Sequence, residues 1–464
     1  MKRKESLRQM IVVSLVAAVA IIMITGCVPA APVTPPPVTP PPVAPPPVAP
    51  PVAPPEKVVT AKIGFLGPLT GPVAGWGLPA EYGDEIWADK INAAGGILLP
   101  DGTRVLVEIV PYDSEYTPDK ALAGAKKLVL EDNVVMVQML GGDDAAAAVP
   151  WLTEQKMVST TFLALDATPE TPYHIAPMET GPVCYQTDIV WAIENHPEAR
   201  TMAMATQPDD YGKACFAIGY AAAELYGLDV VYDKYIDYDT VDFAPTVSAM
   251  LATNPDIIRL TGAWPDFITL ICEQLYLQGF DGILVTGVLD FYSAIIDRTS
   301  PEFMEGTIWF FPDYDDPMLS AEDHDFWDEY QSRYPGCWSA VSHEGMEICR
   351  LWKYGVEKAG SIDPMAVYAA LRAEPTLPHA FGPAVWWGKE IFGVDNALIG
   401  SWPVVTMHNG KSKIVEMVDN LSWWQDKTNA ETVIKYLEGQ DMMWYQRMGL
   451  TKEEAMAKYP EAFE

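Results

Sequence analysis

Basic side chains are scarce: 30 Lys and Arg stand against 63 Asp and Glu, a net charge of −33. A phosphate-rich partner would meet repulsion over most of such a surface, which argues against nucleic acid. Cysteine is sparse as well. The six cysteines show no CxxC spacing, so neither zinc binding nor thioredoxin-like redox chemistry has support. Six histidines form no cluster at ligand spacing, and GxxxxGKS/T, HExxH and GxSxG are all absent. No metal or cofactor is expected. Long polar low-complexity stretches are missing too, and 49% hydrophobic with 11% aromatic residues excludes a disordered chain. What remains is an acidic globular body, and 464 residues leave room for two lobes and appendages.

The N-terminus carries an address. Lys2, Arg3, Lys4 and Arg8 precede an uncharged stretch over residues 10–24, the pattern of a secretory signal and too short to span a membrane comfortably. Ile24-Thr25-Gly26-Cys27 resembles the bacterial lipoprotein processing signal, which implies that Cys27 is lipidated and becomes the mature N-terminus. Residues 28–55 hold 15 prolines among Val, Ala and Thr, so a polyproline II stalk is predicted there. At about 3.1 Å per residue it reaches on the order of 85 Å. Removal of residues 1–27 leaves 26 basic against 62 acidic residues, a net charge of −36. Of the remaining Cys184, Cys215, Cys272, Cys337 and Cys349, at most four can pair, with the pairing open.

The body alternates strand and helix patterns. Strands are predicted at residues 61–67, 104–110, 134–140 and 157–162, with helices at 76–94, 118–131 and 144–155 between them. A second series follows, with strands at 201–206, 229–235, 256–261 and 283–286 and helices at 184–195, 209–226, 243–253 and 265–278. Repeated βα units imply parallel sheets covered on both faces, hence an α/β protein with two doubly wound lobes. Helices at 321–334, 343–359 and 364–372 and a hairpin over 402–408 and 413–418, turning at Asn409-Gly410, complete the reading. Residues 421–464 read as a helical extension without an assigned role.

Gly75-Trp76-Gly77-Leu78-Pro79-Ala80 fits GxGxxA formally, but a Trp between the glycines and a strand ending about eight residues earlier suit a dinucleotide poorly. The wider block matches better elsewhere. Ile63-Gly64-Phe65-Leu66-Gly67-Pro68-Leu69-Thr70-Gly71-Pro72, Ile91-Asn92-Ala93-Ala94-Gly95-Gly96, Tyr112-Asp113, Asp209-Asp210-Tyr211-Gly212-Lys213, Asp242-Phe243 and Asn254-Pro255-Asp256 together resemble the leucine/isoleucine/valine-binding family of extracytoplasmic solute receptors. The resemblance, over residues 58–420, implies the type I periplasmic binding protein fold: two lobes, three crossings, and a small solute bound between them without chemical change. The crossings fall near Gly181, Thr307 and Phe392, giving a first lobe of residues 57–181 and 308–392 and a second of 182–307 and 393–420.

The same resemblance assigns the candidate site. Trp76, Tyr211 and Trp264 stand where the family places aromatic rings; each could instead be a packing residue. The loop Leu140-Gly141-Gly142-Asp143-Asp144 replaces the usual serines with acids, leaving the Gly142 backbone, Asp143 and, in the next loop, Thr161 and Phe162 as ligand-facing candidates. Asp144 is read as a helix cap. Asp290 is the nearest acid to the family's amine-binding position, or else caps a helix beginning at Phe291. The implied partners are a small amino-acid-like or amide-like solute, the permease and ATPase subunits of an ABC importer, and the membrane through a lipid anchor, the protein itself acting as a monomer. A sensory receptor and a secreted acidic hydrolase are the alternatives.

Overall fold

The segment VVTAKIGFLG is apolar almost throughout, and as β1 (Val58–Gly67) it lies in the middle of a sheet, its later residues buried on both faces. A computed structural model describes residues 57–463, apart from 72, 163, 179–182 and 288–291, so Cys27, the stalk, Asp290 and the first crossing lie outside the described residues. α1 (Ala74–Ala93) follows β1 and ends before Gly95 and Gly96, both at positive φ. The chain returns through β2 (Ile97–Leu98) to β3 (Arg104–Asp113), which pairs parallel with β1 with Ile63 opposite Ile109. α2 (Pro118–Leu130), β4 (Met136–Met139), α3 (Asp143–Glu154), β5 (Ser159–Thr161) and β6 (His174–Ile175) complete a sheet of order β2-β3-β1-β4-β5-β6.

The second series builds the second sheet. It comprises α4 (Thr187–Asn195), β7 (Thr201–Thr206), α5 (Asp210–Tyr226), β8 (Asp229–Tyr235), α6 (Ala244–Leu251), β9 (Ile257–Arg259), α7 (Pro265–Leu277), β10 (Ile283–Gly287), α8 (Tyr292–Arg298), α9 (Pro301–Met304) and β11 (Ile308–Trp309). Its parallel part runs β8-β7-β9-β10-β11, the same winding as β3-β1-β4-β5-β6. In both sheets the order reverses beside the first strand. At such a reversal the loops after neighbouring strands diverge and leave a crevice at their carboxyl ends.

β11 still belongs to the second sheet, so the second crossing follows Trp309 rather than preceding residue 308. α10 (Ala321–Arg333), α11 (Ala340–Ala359) and α12 (Pro364–Ala373) return to the first lobe, α11 packing along α1. A small antiparallel sheet of β12 (Leu377–His379), β13 (Gly382–Trp387) and β14 (Ala397–Ile399), with α13 (Lys389–Phe392) between the last two strands, was not foreseen. It stays with the first lobe, because Ala176 bridges Ala397 and the Asn396 amide donates to the carbonyls of Pro172 and His174. The third passage therefore falls at Gly400, not near Phe392. β15 (Ser401–His408) and β16 (Lys411–Asp419) join the second sheet as an antiparallel hairpin, its turn formed by Asn409 and Gly410, both at positive φ.

The extension folds as α14 (Asn420–Gln425), α15 (Lys427–Gly439), α16 (Trp444–Arg447) and α17 (Lys452–Lys458). Cys272, Cys337 and Cys349 are unpaired thiols. Among the described residues, no helix is long and apolar enough to cross a membrane.

Candidate functional site

Two helix starts face each other across the lobes, and each is set by a glycine. A Cβ on Gly77 would lie 1.8 Å from the carbonyl oxygen of Pro68, so only glycine lets α1 begin this close to the loop after β1. On the other side a Cβ on Gly212 would lie 1.9 Å from the Gln207 carbonyl, which brings α5 equally close to the end of β7. The rings one residue earlier, Trp76 and Tyr211, are thereby held at the carboxyl ends of the two sheets. α5 is capped by Asp209, whose Oδ1 accepts from the Gly212 N–H at 2.8 Å. Its Oδ2 accepts from Gln207 Nε2 at 2.6 Å and from the Tyr238 hydroxyl at 3.1 Å.

Both rings line a cavity of about 560 Å³ between the lobes, a size suited to a small organic solute. The first lobe adds Tyr116, Leu140, Gly142, Ala146, Phe162, Leu165 and Asp166, and α11 adds Ala340, Val341 and Glu344. The second lobe adds Gln207, Pro208, Asp209, Asp210, Lys213 and Tyr238, and the C-terminal extension adds Asp441 and Arg447. Gly142 takes a positive φ of 68°, and a Cβ there would meet the Tyr116 hydroxyl at 2.4 Å. Its N–H donates to Asp166 Oδ2 at 3.2 Å.

The electrostatics are those of a partly dehydrated acidic chamber. Burial pushes the Asp166 carboxyl up, against the opposing pull of the Arg447 guanidinium 3.1 Å away. Burial also raises Asp209, although its three hydrogen-bond donors work the other way. Lys213 is tied to Asp210 at 2.8 Å.

Of the residues singled out from sequence, Trp76, Gly142, Phe162 and Tyr211 line this cavity. Trp264 is not among the lining residues; its ring packs 4.7 Å from Tyr238, and Tyr238 presents the surface instead. Thr161 is fully buried in β5, its hydroxyl donating to the Leu140 carbonyl at 3.4 Å, behind the cavity wall. Asp143 opens α3, and Gly142, rather than Asp144, holds the cap position. Asp144 lies inside the first turn and is buried. Glu344, Asp441 and Arg447 carried no local signal, because each reaches the cavity from an element distant in sequence, whereas Tyr116 and Asp166 follow β3 and β5 by three and five residues and were passed over.

The sequence pattern of the periplasmic binding protein family matches residues 60–411. The chain is 26% identical over 339 residues to the Leu/Ile/Val-binding protein BraC3 of Rhizobium johnstonii, covering 70% of this chain and 86% of that one. In fold it is similar to LivJ of Streptococcus pneumoniae, crystallised with isoleucine, with a TM-score of 0.62, 21% identity, and coverage of 77% of this chain and 99% of the other. An ABC-transporter solute-binding protein of R. palustris in complex with 4-hydroxybenzoate gives a TM-score of 0.61 and 20% identity, covering 78% and 96%. The strand order, the interlobe cavity and the sequence pattern agree: the chain belongs to the leucine/isoleucine/valine-binding family of periplasmic binding proteins, with the type I fold.

Proposed function

We propose that the protein is an extracytoplasmic receptor that captures a small amino-acid-like or amide-like solute between its lobes and delivers it, unaltered, to the permease of an ABC importer. The observation that carries this reading is the cavity walled from both sheets, since neither lobe alone completes it. When half the contacts come from each side, solute affinity and lobe closure draw on the same free energy, and a membrane partner can read the closed shape. Trp76 and Tyr211 supply ring faces that favour a cationic or apolar group, and the carboxyl groups of Asp209 and Glu344 supply polar contacts in the same wall. The relatives named above bind branched-chain amino acids or an aromatic acid, which bounds the size of solute this fold admits. Lipid attachment at Cys27 and a stalk over residues 28–55 would hold the receptor at the membrane surface.

Native mass spectrometry of the purified chain, followed by small-angle scattering with and without the solute so found, tests the reading. The expected result is a bound small molecule recovered at its original mass and a smaller radius of gyration when it is present. An unchanged scattering profile, or a solute returned as a cleavage product, would refute it.

A further inference from the structure

The three crossings are not the last link between the lobes. α15 packs on α5 of the second lobe: Lys435 Nζ and the Tyr436 hydroxyl meet Glu224 Oε2 at 2.5 and 2.7 Å, and the rings of Tyr220 and Tyr436 stack at 5.6 Å. The chain then turns at Asp441, whose φ is 57°, and settles on the first lobe. There Trp444, 1% exposed, closes over Gly393, where a Cβ would lie 2.7 Å from the indole, and Lys458 reaches Glu170 at 2.7 Å. Asp441, between these two anchorages, and Arg447, within the second, enter the wall of the interlobe cavity. The family pattern ends at residue 411, so this strap lies beyond it.

We propose that Arg447, brought by the C-terminal strap, is a solute-binding residue that receives a carboxylate, and that Asp166 is its positioning residue; this deepens the receptor reading and rests on it. The described cavity wall holds the acids Asp166, Asp209, Asp210, Glu344 and Asp441 but only two cations. Lys213 is 40% exposed and held by Asp210, whereas the Arg447 side chain is 16% exposed. An anionic group entering this chamber meets five acids, and the guanidinium is the more buried of the two cations that can attract it. Among the described residues only Nη2 is engaged, by Asp166, which leaves the planar fork N–H groups to address a second carboxylate. Asp166 also accepts from the Gly142 N–H, so one carboxyl couples the strap to the loop after β4. A zwitterion satisfies both halves of the chamber, with its carboxylate on Arg447 and its cation toward the acids and rings.

Calorimetric titration of the full chain with two acid–amide pairs, L-isoleucine with L-isoleucinamide and 4-hydroxybenzoate with 4-hydroxybenzamide, tests the assignment. At least one acid should bind at least about tenfold more tightly than its amide. Arg447→Gln should remove that preference, weakening the acid about tenfold and leaving the amide within about twofold. Arg447→Lys keeps a positive charge near Asp166 but loses the fork; it should weaken the acid with an unchanged melting temperature, which separates binding from folding. An acid preference that survives in Arg447→Gln, equal binding of acid and amide, or no binding of either acid at about 10 mM would overturn the proposal. None of these outcomes touches the receptor reading, which native mass spectrometry and scattering test separately.

Discussion

Trp76 is half-buried and projects from the first turn of α1 into the cavity, so its ring is the contact whose removal costs binding more than folding. Trp76→Ala is expected to weaken solute binding by roughly 1–3 kcal/mol with little change in the melting temperature of the empty protein. Titration and a thermal melt on the same preparation decide it; a large drop in the melt would mark the ring as core. Tyr211 differs in kind, because it is almost fully buried and its ring meets Tyr185 edge-on at 5.4 Å. Its loss would damage packing and binding together. Trp76 and Tyr211 were legible through the family resemblance, because each stands in a matching block between a strand and the helix that follows it. Arg447 was not readable: its place depends on the path of the whole extension.

At the scale of elements, the glycines that start α1 and α5 make a paired experiment. Gly77→Ala forces a Cβ to within 1.8 Å of the Pro68 carbonyl oxygen, a backbone atom that cannot swing aside. A loss of about 1–3 kcal/mol is expected from such overpacking, exceeding the helix-propensity gain of about 1 kcal/mol that alanine otherwise brings. Gly75→Ala, in the same helix turn, meets nothing within 4 Å and should be neutral or stabilising. Chemical denaturation of both variants checks the contrast, and similar stabilities would refute the close-approach argument. The GxG spacing that resembles a dinucleotide fingerprint thus has a packing cause at its second glycine. The small sheet β12-β13-β14 escaped prediction for a related reason, since its strands of three to six residues are too short to show a period.

For the whole molecule, buried titratable groups set the pH profile. Burial raises Glu81 to about 8 and Glu347 to about 7, the latter despite Arg350 beside it, and raises Asp313 to about 6. Asp84 is also driven well up by burial. These carboxyls stay protonated in the folded chain where the unfolded chain has lost the proton, so their contribution falls as pH rises through the folded values. Burial acts oppositely on His174 and His343, lowered to about 3, and on His379, lowered to about 4. Their contribution is present above the ordinary histidine value of 6.5 and is lost as pH falls toward those values. Below about pH 6.5 the two sets oppose each other; above it only the raised acids act. The melting temperature is therefore expected to fall between about pH 6.5 and 9, and Glu81→Gln should flatten that slope. Calorimetry at high salt, which suppresses the general repulsion of an acidic chain, checks it. A melting temperature that climbs over this range would contradict the assignment.

The sequence by itself determined the two α/β lobes and the hairpin turn at Asn409-Gly410, and its resemblance to a known family marked the rings Trp76 and Tyr211. The lobes and the turn follow from periodicity and turn chemistry, which act over a few residues. Tertiary structure alone decided that Tyr238 rather than Trp264 faces the cavity, that the passage between lobes falls at Gly400, and that a C-terminal strap delivers Arg447 opposite Asp166. Contacts between residues as far apart as 166 and 447 depend on how whole elements pack, and a linear pattern carries no record of that packing.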